Sequence, residues 1–376
     1  MAKLIEITGK ALSGEWGTDD ETGDGIPVLR TTNFTNEGVV DYRNVVTRTI
    51  TKKKIEEKYL RKGDIIIEKS GGSDKQPVGR VIFFDGPEQT YLFNNFTGLL
   101  RVKDQTTWYP RYVFYSMYSN YRRGGTRAFE NKTTGLHNLK TDDYVSRYEV
   151  SETSMENQME ICERLDRLYG IIKMRKQELQ LLDELIKARF VEMFGDPIYN
   201  ANNLPMMCLN DLGVWNSGGT PSRTNPAYFT GGIDWYSAGE LKTLYLEGSI
   251  EKITEEAIQE SATKLFKAGS MLVGMYDTAA FKMGILKKAS ASNQACACIE
   301  PNETVNIVWL YYSLQLMKEH FLSQRRGVRQ KNLNLGMIKG FEIPIADRGK
   351  QDEFVCFVEQ VDKSKFEGRM IIIGHR

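Results

Sequence analysis

Cysteine, histidine and proline are scarce in this chain of 376 residues, with five, three and ten copies respectively. The histidines (His137, His320, His375) are isolated, and no Pro-Asp followed by Glu-x-Lys marks a nuclease centre. The cysteines (Cys162, Cys208, Cys296, Cys298, Cys356) are odd in number and widely spread, which argues for a reducing compartment. Cys296 and Cys298 form a Cys-x-Cys with no second pair at ligand spacing, so zinc is disfavoured, and the alternating run 294–299 places both on one face of a strand. No apolar run approaches the ~20 residues needed to span a bilayer, and MAKLIEITGKALSGEWG lacks the apolar centre of a signal peptide. The expected location is the cytoplasm. An excess of one charge is missing too: 50 Lys and Arg oppose 49 Asp and Glu. That balance excludes a uniformly basic coat but leaves room for local basic patches.

Hydrophobic residues (41 %) and aromatics (11 %) are plentiful enough for a folded chain, and the length suits two domains or slightly more. A weak repeat at an interval of about 200 residues divides the sequence accordingly. GIPVLRTTNFTNEGVVDYRN from Gly25 is answered by GIDWYSAGELKTLYLEGSIE from Gly232. LRKGDIIIEKSGGSDKQPVGRVIFF from Leu60 is answered by FKAGSMLVGMYDTAAFKMGILKK from Phe266, pairing Gly63 with Gly269 and Gly79 with Gly284. NNFTGLLRV at Asn94 and SNQACACIE at Ser292 come next. Each copy then has a helical stretch (109–123 and 306–326) ending in Arg-Arg-Gly, followed by Asn-Leu (Asn138, Leu139; Asn332, Leu333). Each copy reads as a mixed module of short β-branched strands with one or two helices.

Between and after the modules the period changes. From Met155 to Phe194 there is no proline, and apolar residues recur at steps of four and three: Ile161, Leu165, Leu168, Ile172, then Leu179, Leu182 and Ile186, with Arg175 interrupting. This predicts a helix of about 40 residues that packs on another helix and stops at Gly195-Asp196-Pro197. Phe354, Val358 and Val361 begin the same pattern, which is expected to stop at Gly368, less than half as long; RMIIIGHR beyond it has no assigned place.

If the two helices pair antiparallel, the modules lie at opposite ends of a rod, related by a pseudo-two-fold axis. Such an object suits two half-sites on a duplex, and because the modules differ, the site is expected to be bipartite and non-palindromic. The polar run Arg30, Thr31 and Asn33, together with Thr32, matched by Tyr236, Ser237 and Glu240, suits contact with DNA and the capping of a turn equally well. Other candidate contacts to DNA are the flexible tip Lys69, Ser70, Gly71, Gly72, Ser73 and Lys75, with Arg80 beyond it, and its counterpart Tyr276, Asp277, Thr278 and Lys282. The arginine clusters Arg122, Arg123 and Arg127, and Arg325, Arg326, Arg329 and Lys331, end equivalent helices. Phosphate contact accounts for several arginines where a helix dipole needs one.

These pieces resemble the specificity subunit of a type I restriction-modification system. GIPVLRTTNF, LxxGDIII at Leu60–Ile67, ELIKARFVEMFGDP (184–197), GGTPSRTNPAYFTGGIDWYSAGEL (218–241) and RRGVRQKNLNLGMIKGFEIPI (325–345) carry the resemblance, over about residues 1–366. It implies an α+β fold with two similar target-recognition domains (1–152 and 198–348), joined by a central helix (153–197) and a shortened distal helix (349–376) as an antiparallel coiled coil. It further implies a subunit with no catalytic residues, no metal and no cofactor. Double-stranded DNA would be bound directly, two methyltransferase subunits would carry S-adenosylmethionine, and translocase-endonuclease subunits would complete the restricting complex. The short distal helix departs from the family and is what a truncated or frameshifted reading frame would leave.

Two other readings compete. A single-chain DNA methyltransferase would use Asn225-Pro226-Ala227-Tyr228 as its amide motif, but the third position is Ala and no Gly-rich loop follows a strand. A coiled-coil scaffold that binds only proteins would show no salt-dependent affinity for duplex DNA.

Overall fold

The computed structural model describes residues 1–52, 55–133, 136–324 and 332–373. The chain divides into two units, residues 1–171 and 172–376, each with an α+β fold.

In the first unit, an antiparallel sheet runs in the order Leu12–Ser13, Thr97–Leu100, Ile65–Glu68, Val81–Phe83. Ile65–Glu68 is buried on both faces, which suits its unbroken β-branched run. Ile65 and Ile67 pack with Val113 and Met117 of the helix Pro110–Arg122. Ile66 points the other way, to Leu29 and Phe93 of a second sheet. That sheet contains Thr18–Asp19, Val46–Thr49, Ile26–Leu29 and Leu92–Phe93, the last two paired in parallel. A small third sheet joins Glu130–Thr133, Leu136–Leu139 and Ser70–Gly72.

The second unit repeats the plan. Gly213–Ser217, Cys296–Pro301, Met271–Gly274 and Met283–Leu286 form the antiparallel sheet, extended by Tyr245–Leu246. Glu251–Ile253, Ile233–Tyr236 and Ala291–Ser292 form the second sheet, again with a parallel pair.

Single hydrogen bonds repeat as well. The N–H of Gly63 donates to Phe84 O, and that of Gly269 to Leu286 O; both glycines have positive φ (+92° and +84°). The expected match of Gly79 with Gly284 is corrected by the same bookkeeping. Glu68 N–H donates to Arg80 O and Gly274 N–H to Lys282 O, each at 2.8 Å. Arg80 therefore corresponds to Lys282, and Gly79 (φ +97°) to Phe281 (φ +57°). A buried phenylalanine, stacked on Phe321 at 5.3 Å, occupies the left-handed position that glycine fills in the first unit. Gly284 lies within a strand instead, where a Cβ would stand 2.6 Å from Leu246 Cδ2.

The long helix spans Met155–Phe194, 40 residues, and Gly195 follows it at φ +79°. Its inward face in the first unit keeps Leu165 of the expected seam and otherwise lies one step from it. Ile161 (40 %) and Leu168 (37 %) are exposed, while Gln158, Cys162, Leu165 and Tyr169 turn inward. The reason is polar and aromatic docking. The Gln158 side chain accepts from Tyr109 N–H (2.8 Å) and donates to Thr107 O (2.9 Å). The Arg111 guanidinium donates to Asp166 (2.6 and 2.9 Å), and Tyr169 stacks on Tyr115 with centroids 5.8 Å apart.

In the second unit the apolar seam holds. Ile172 and Leu179 are half-buried, and Leu182 packs on the core that contains Ile186, Phe354, Val358 and Val361. The distal helix runs antiparallel to this stretch, with Phe190 against Phe354 (5.3 Å between centroids) and Lys365 Nζ 2.7 Å from Asp183. It extends over Arg348–Ile373, 26 residues, against an expected stop at Gly368 and less than half the length of the first. One interior glycine costs only about 1 kcal/mol relative to alanine, too little to end a packed helix. The helix expected over 306–326 is two, Ile307–Leu316 and Lys318–Ser323, broken at the buried Met317.

Candidate nucleic-acid interface

Some of the residues expected to meet DNA gather at one hydrogen-bonded crossing in each unit, at Lys69 and at Met275. In the first unit Lys69 is the centre. Its backbone is bonded on both sides, N–H to Phe96 O and C=O from Leu139 N–H (each 2.8 Å). Its ammonium, half-buried, donates to Ser13 Oγ at 2.8 Å. Burial, then the nearby Lys58, holds the Lys69 pKa below its ordinary value. Beside Ser13, Glu15 accepts from Lys58 and from Lys52 (2.9 Å), which hold its carboxyl below the usual range. Lys52 and Lys58 pair with Glu15, and Asp142 acts on Lys69, so three lysines face two carboxylates here and leave one positive charge in excess for phosphate contact.

The second unit has the same backbone and different chemistry. Met275 N–H donates to Ala295 O and Met275 O accepts from Leu333 N–H (each 2.9 Å), so Met275 stands at the place of Lys69. Thr220 bonds Gln294, and Lys264 donates to Asn216 at 2.7 Å. This surface is polar, with Tyr276 (39 % exposed) and the exposed Thr278 on it. Lys282 is half-buried; Asp277 begins the short 3-10 turn Asp277–Ala279, and its side chain lies outside the described ones.

Several expected contacts are internal instead. Arg80 donates to Phe34 O and Thr31 O (each 2.9 Å) and to Glu68 Oε1 (3.2 Å), so its guanidinium ties three segments together. Asn33 is 1 % exposed; its side chain accepts from Arg30 N–H and donates to Asp41 O (each 2.9 Å). Arg30 is half-buried and donates to Asn44 O at 3.0 Å, and Thr31 opens the same 3-10 turn. The Asn33 side chain caps this turn, and Thr31 enters it through its carbonyl, which accepts from Phe34 N–H and from Arg80.

The Gly-rich segment is also more ordered than a flexible tip. Ser70–Gly72 is a strand, and a Cβ on Gly72 would stand 2.6 Å from Val78 N. Only Ser73 to Gln76 form the turn, closed by Ser73 N–H to Gln76 O at 2.7 Å, with Lys75 exposed on it. Arg127 donates to Asp74 O (3.2 Å) and His137 lies 3.5 Å from Asp74 and 2.9 Å from Glu130, which brace that turn. Arg122 and Arg123 are exposed. Arg325, Arg326, Arg329 and Lys331 lie outside the described residues.

Other candidates take structural roles. Asn225 caps the 3-10 turn Pro226–Phe229, accepting from Ala227 N–H at 3.2 Å. Cys296 and Cys298 share one buried apolar cluster, and burial pushes the Cys296 thiol up to about 12. On the long helix within the second unit, Met174 (62 % exposed), Gln177, Glu178, Leu181 (56 %), Leu182 and Leu185 line an open apolar groove.

Sequence reasoning missed Phe96. It is 53 % exposed on the turn between Leu92–Phe93 and Thr97–Leu100, and its carbonyl accepts from Lys69 N–H. The available signal was a lone aromatic among turn formers, Asn94-Asn95-Phe96-Thr97.

A family model described as type I restriction modification DNA specificity domain matches residues 2–184 and 203–370, one match on each repeat. Among curated proteins, the chain is similar to the EcoR124I/EcoR124II type I restriction enzyme specificity subunit of Escherichia coli, at 22 % identity over 219 residues, 56 % of this chain and 53 % of that protein. It is also similar to the MjaIX specificity subunit of Methanocaldococcus jannaschii, at 25 % over 159 residues, 41 % of this chain and 37 % of that one. The matched segments thus span about half of the first relative and over a third of the second. The S subunit of a type I restriction-modification system from M. genitalium covers 99 % of this chain and 92 % of its own, with a TM-score of 0.57 at 14 % identity. A chain from a structure concerned with assembly and conformational transition of the type I R-M system gives 0.56 at 13 % identity, with the same coverage. Identities this low establish a shared fold.

Proposed function

We propose, since the chain belongs to the type I restriction-modification DNA specificity family, that it is the sequence-reading subunit of a type I restriction-modification complex and supplies no catalytic residue of its own. Each module reads one half of a bipartite, non-palindromic duplex site. The observation that carries this reading is one hydrogen-bonded crossing built twice and dressed differently, Lys69 bonded to Phe96 in one module and Met275 to Ala295 in the other. A shared backbone gives both modules the same approach to a groove, and different side chains give them different sequences to read. Lys52, Lys58, Lys69, Lys75, Arg122 and Arg123 provide the phosphate contacts of the first half-site. Arg325, Arg326, Arg329 and Lys331 are assigned the same role in the second.

The helical region docks two methyltransferase subunits, which bind S-adenosylmethionine. The exposed apolar side chains Met174, Leu181 and Leu185 suit such a partner, because water-exposed apolar surface of this kind marks protein contact. Translocase-endonuclease subunits complete the restricting complex, and the whole works in the cytoplasm.

The test is to express the chain with its methyltransferase subunits and map modified adenines across a host genome. A split, asymmetric recognition sequence is expected, and exchange of residues 1–152 for those of another family member should change one half of it only. Change in both halves or neither, or duplex binding indifferent to salt, would overturn the reading.

A further inference from the structure

Each module leaves one aromatic ring in water at its crossing, and the two rings sit on opposite strands of it. In the first module the ring is Phe96, whose carbonyl accepts from Lys69 N–H. In the second, Ala295 takes that place, and the ring is Tyr276, next in the chain to Met275, whose N–H donates to Ala295 O. Position 70, the counterpart of Tyr276, is serine. The modules therefore present one ring apiece at one location, reached from different strands.

Each ring sits on a hydrogen-bonded turn. The Phe96 turn is pinned by Thr97, which donates from N–H (3.1 Å) and from Oγ1 (2.8 Å) to Asn94 O, with both side chains buried. Tyr276 follows the buried Met275 and its carbonyl accepts from Ala279 N–H at 3.1 Å. Among the described residues neither ring stacks on another, whereas Phe93 and Phe281, nearby in sequence, are fully buried. An exposed aromatic ring in a polar, partly cationic setting is suited to a surface that combines phosphate charge with apolar base faces and thymine methyls.

We propose that Phe96 and Tyr276 are matched base-contacting residues, one for each half-site, that set sequence preference rather than general affinity for DNA. This rests on the DNA-reading function above. A ring contact displaces no counterion, so it separates from the lysines by salt dependence.

The experiment uses the full chain with its methyltransferase subunits and a randomised duplex pool, from which each complex selects its preferred sequence. Phe96→Ala is expected to lose preference at one or two positions in one half of the site, and Tyr276→Ala at positions in the other half. Each should weaken binding to the wild-type sequence roughly tenfold, the usual effect of one lost base contact, with an unchanged salt slope. Phe96→Leu and Tyr276→Phe should keep part of the preference, which separates apolar contact from the tyrosine hydroxyl. Variants that select the wild-type sequence at wild-type affinity, or that both act on one half, overturn this proposal alone. A wild-type complex that enriches no sequence overturns the DNA-reading function and this proposal with it.

Discussion

The two modules share a backbone to the level of single hydrogen bonds and differ in what holds it. At the strand following the shared Gly63/Gly269 turn, the first module buries an ion pair, Glu68 with Arg80, and runs that arginine on to the carbonyls of Thr31 and Phe34. The second has Gly274 in place of Glu68, Lys282 in place of Arg80, and a core of Phe281, Phe321 and Phe341 packed close by. The long helix is held in correspondingly different ways, by Gln158, Arg111–Asp166 and stacked tyrosines in the first unit, and by Phe190, Phe194, Trp309 and Phe354 in the second. One fold can thus be stabilised through a polar lattice or an apolar one, and residues of one sort in one copy say little about the equivalent positions in the other.

The difference is broken most severely at Arg80. Arg80→Ala strands a buried carboxylate and removes donors from two carbonyls, a change that costs about 3 kcal/mol. Hydrogen exchange resolved along the chain should show the loss in the sheet of Ile65–Glu68 and in Thr31–Phe34. Lys282→Ala, at the equivalent position with a glycine opposite, should cost about 0.5 kcal/mol. Equal costs would show that the polar lattice is incidental.

The comparison also explains what was legible in the sequence. The repeat, the order of its pieces along the chain and the bounds of the long helix were readable, because glycine turns, β-branched runs and heptads are local signals. The match of Gly79 to Gly284 failed because identity of residue was taken for identity of conformation: Phe281 holds the left-handed position, and tertiary burial stabilises it there. The seam through Ile161 and Leu168 failed because an apolar template cannot see Gln158, Asp166 or Tyr169 as inward residues. Arg80 and Asn33 looked like DNA contacts for the opposite reason, since polar residues beside a turn bond the backbone as readily as a ligand. Phe96 was overlooked because a lone exposed ring acquires meaning only when the crossing beneath it is seen twice.

A finer probe is pH. Burial raises the Glu68 carboxyl above its ordinary value of 4.5, with Arg80 opposing. A raised carboxyl favours the folded state while protonated, so its contribution is complete below the unfolded value and is lost as pH rises through the folded one. Glu68→Gln does not titrate, so it should match the wild type in urea near pH 4 and become the more stable of the two as pH rises above about 4.5. The effect should be smaller than that of Arg80→Ala, because the hydrogen bond survives in part. The second module, with Gly274 there, has no such term, and a pH dependence appearing equally in both modules would contradict the assignment.

The smallest expected effect tests the helix register. Ile161→Ser and Leu168→Ser should shift stability by no more than about 0.5 kcal/mol, since both side chains are exposed and face away from the first module. Cys162→Ser, one position along, places a hydroxyl where the thiol is 1 % exposed and pushed up to about 12 by burial. It should cost about 1–3 kcal/mol through an unsatisfied buried group. Urea midpoints of the three variants decide between the two seams: a costly Ile161→Ser with a silent Cys162→Ser would restore the heptad register. If methyltransferase subunits dock along this helix, the two exposed positions should act on assembly instead, lowering the fraction of complex on size-exclusion chromatography while leaving the isolated chain as stable as before.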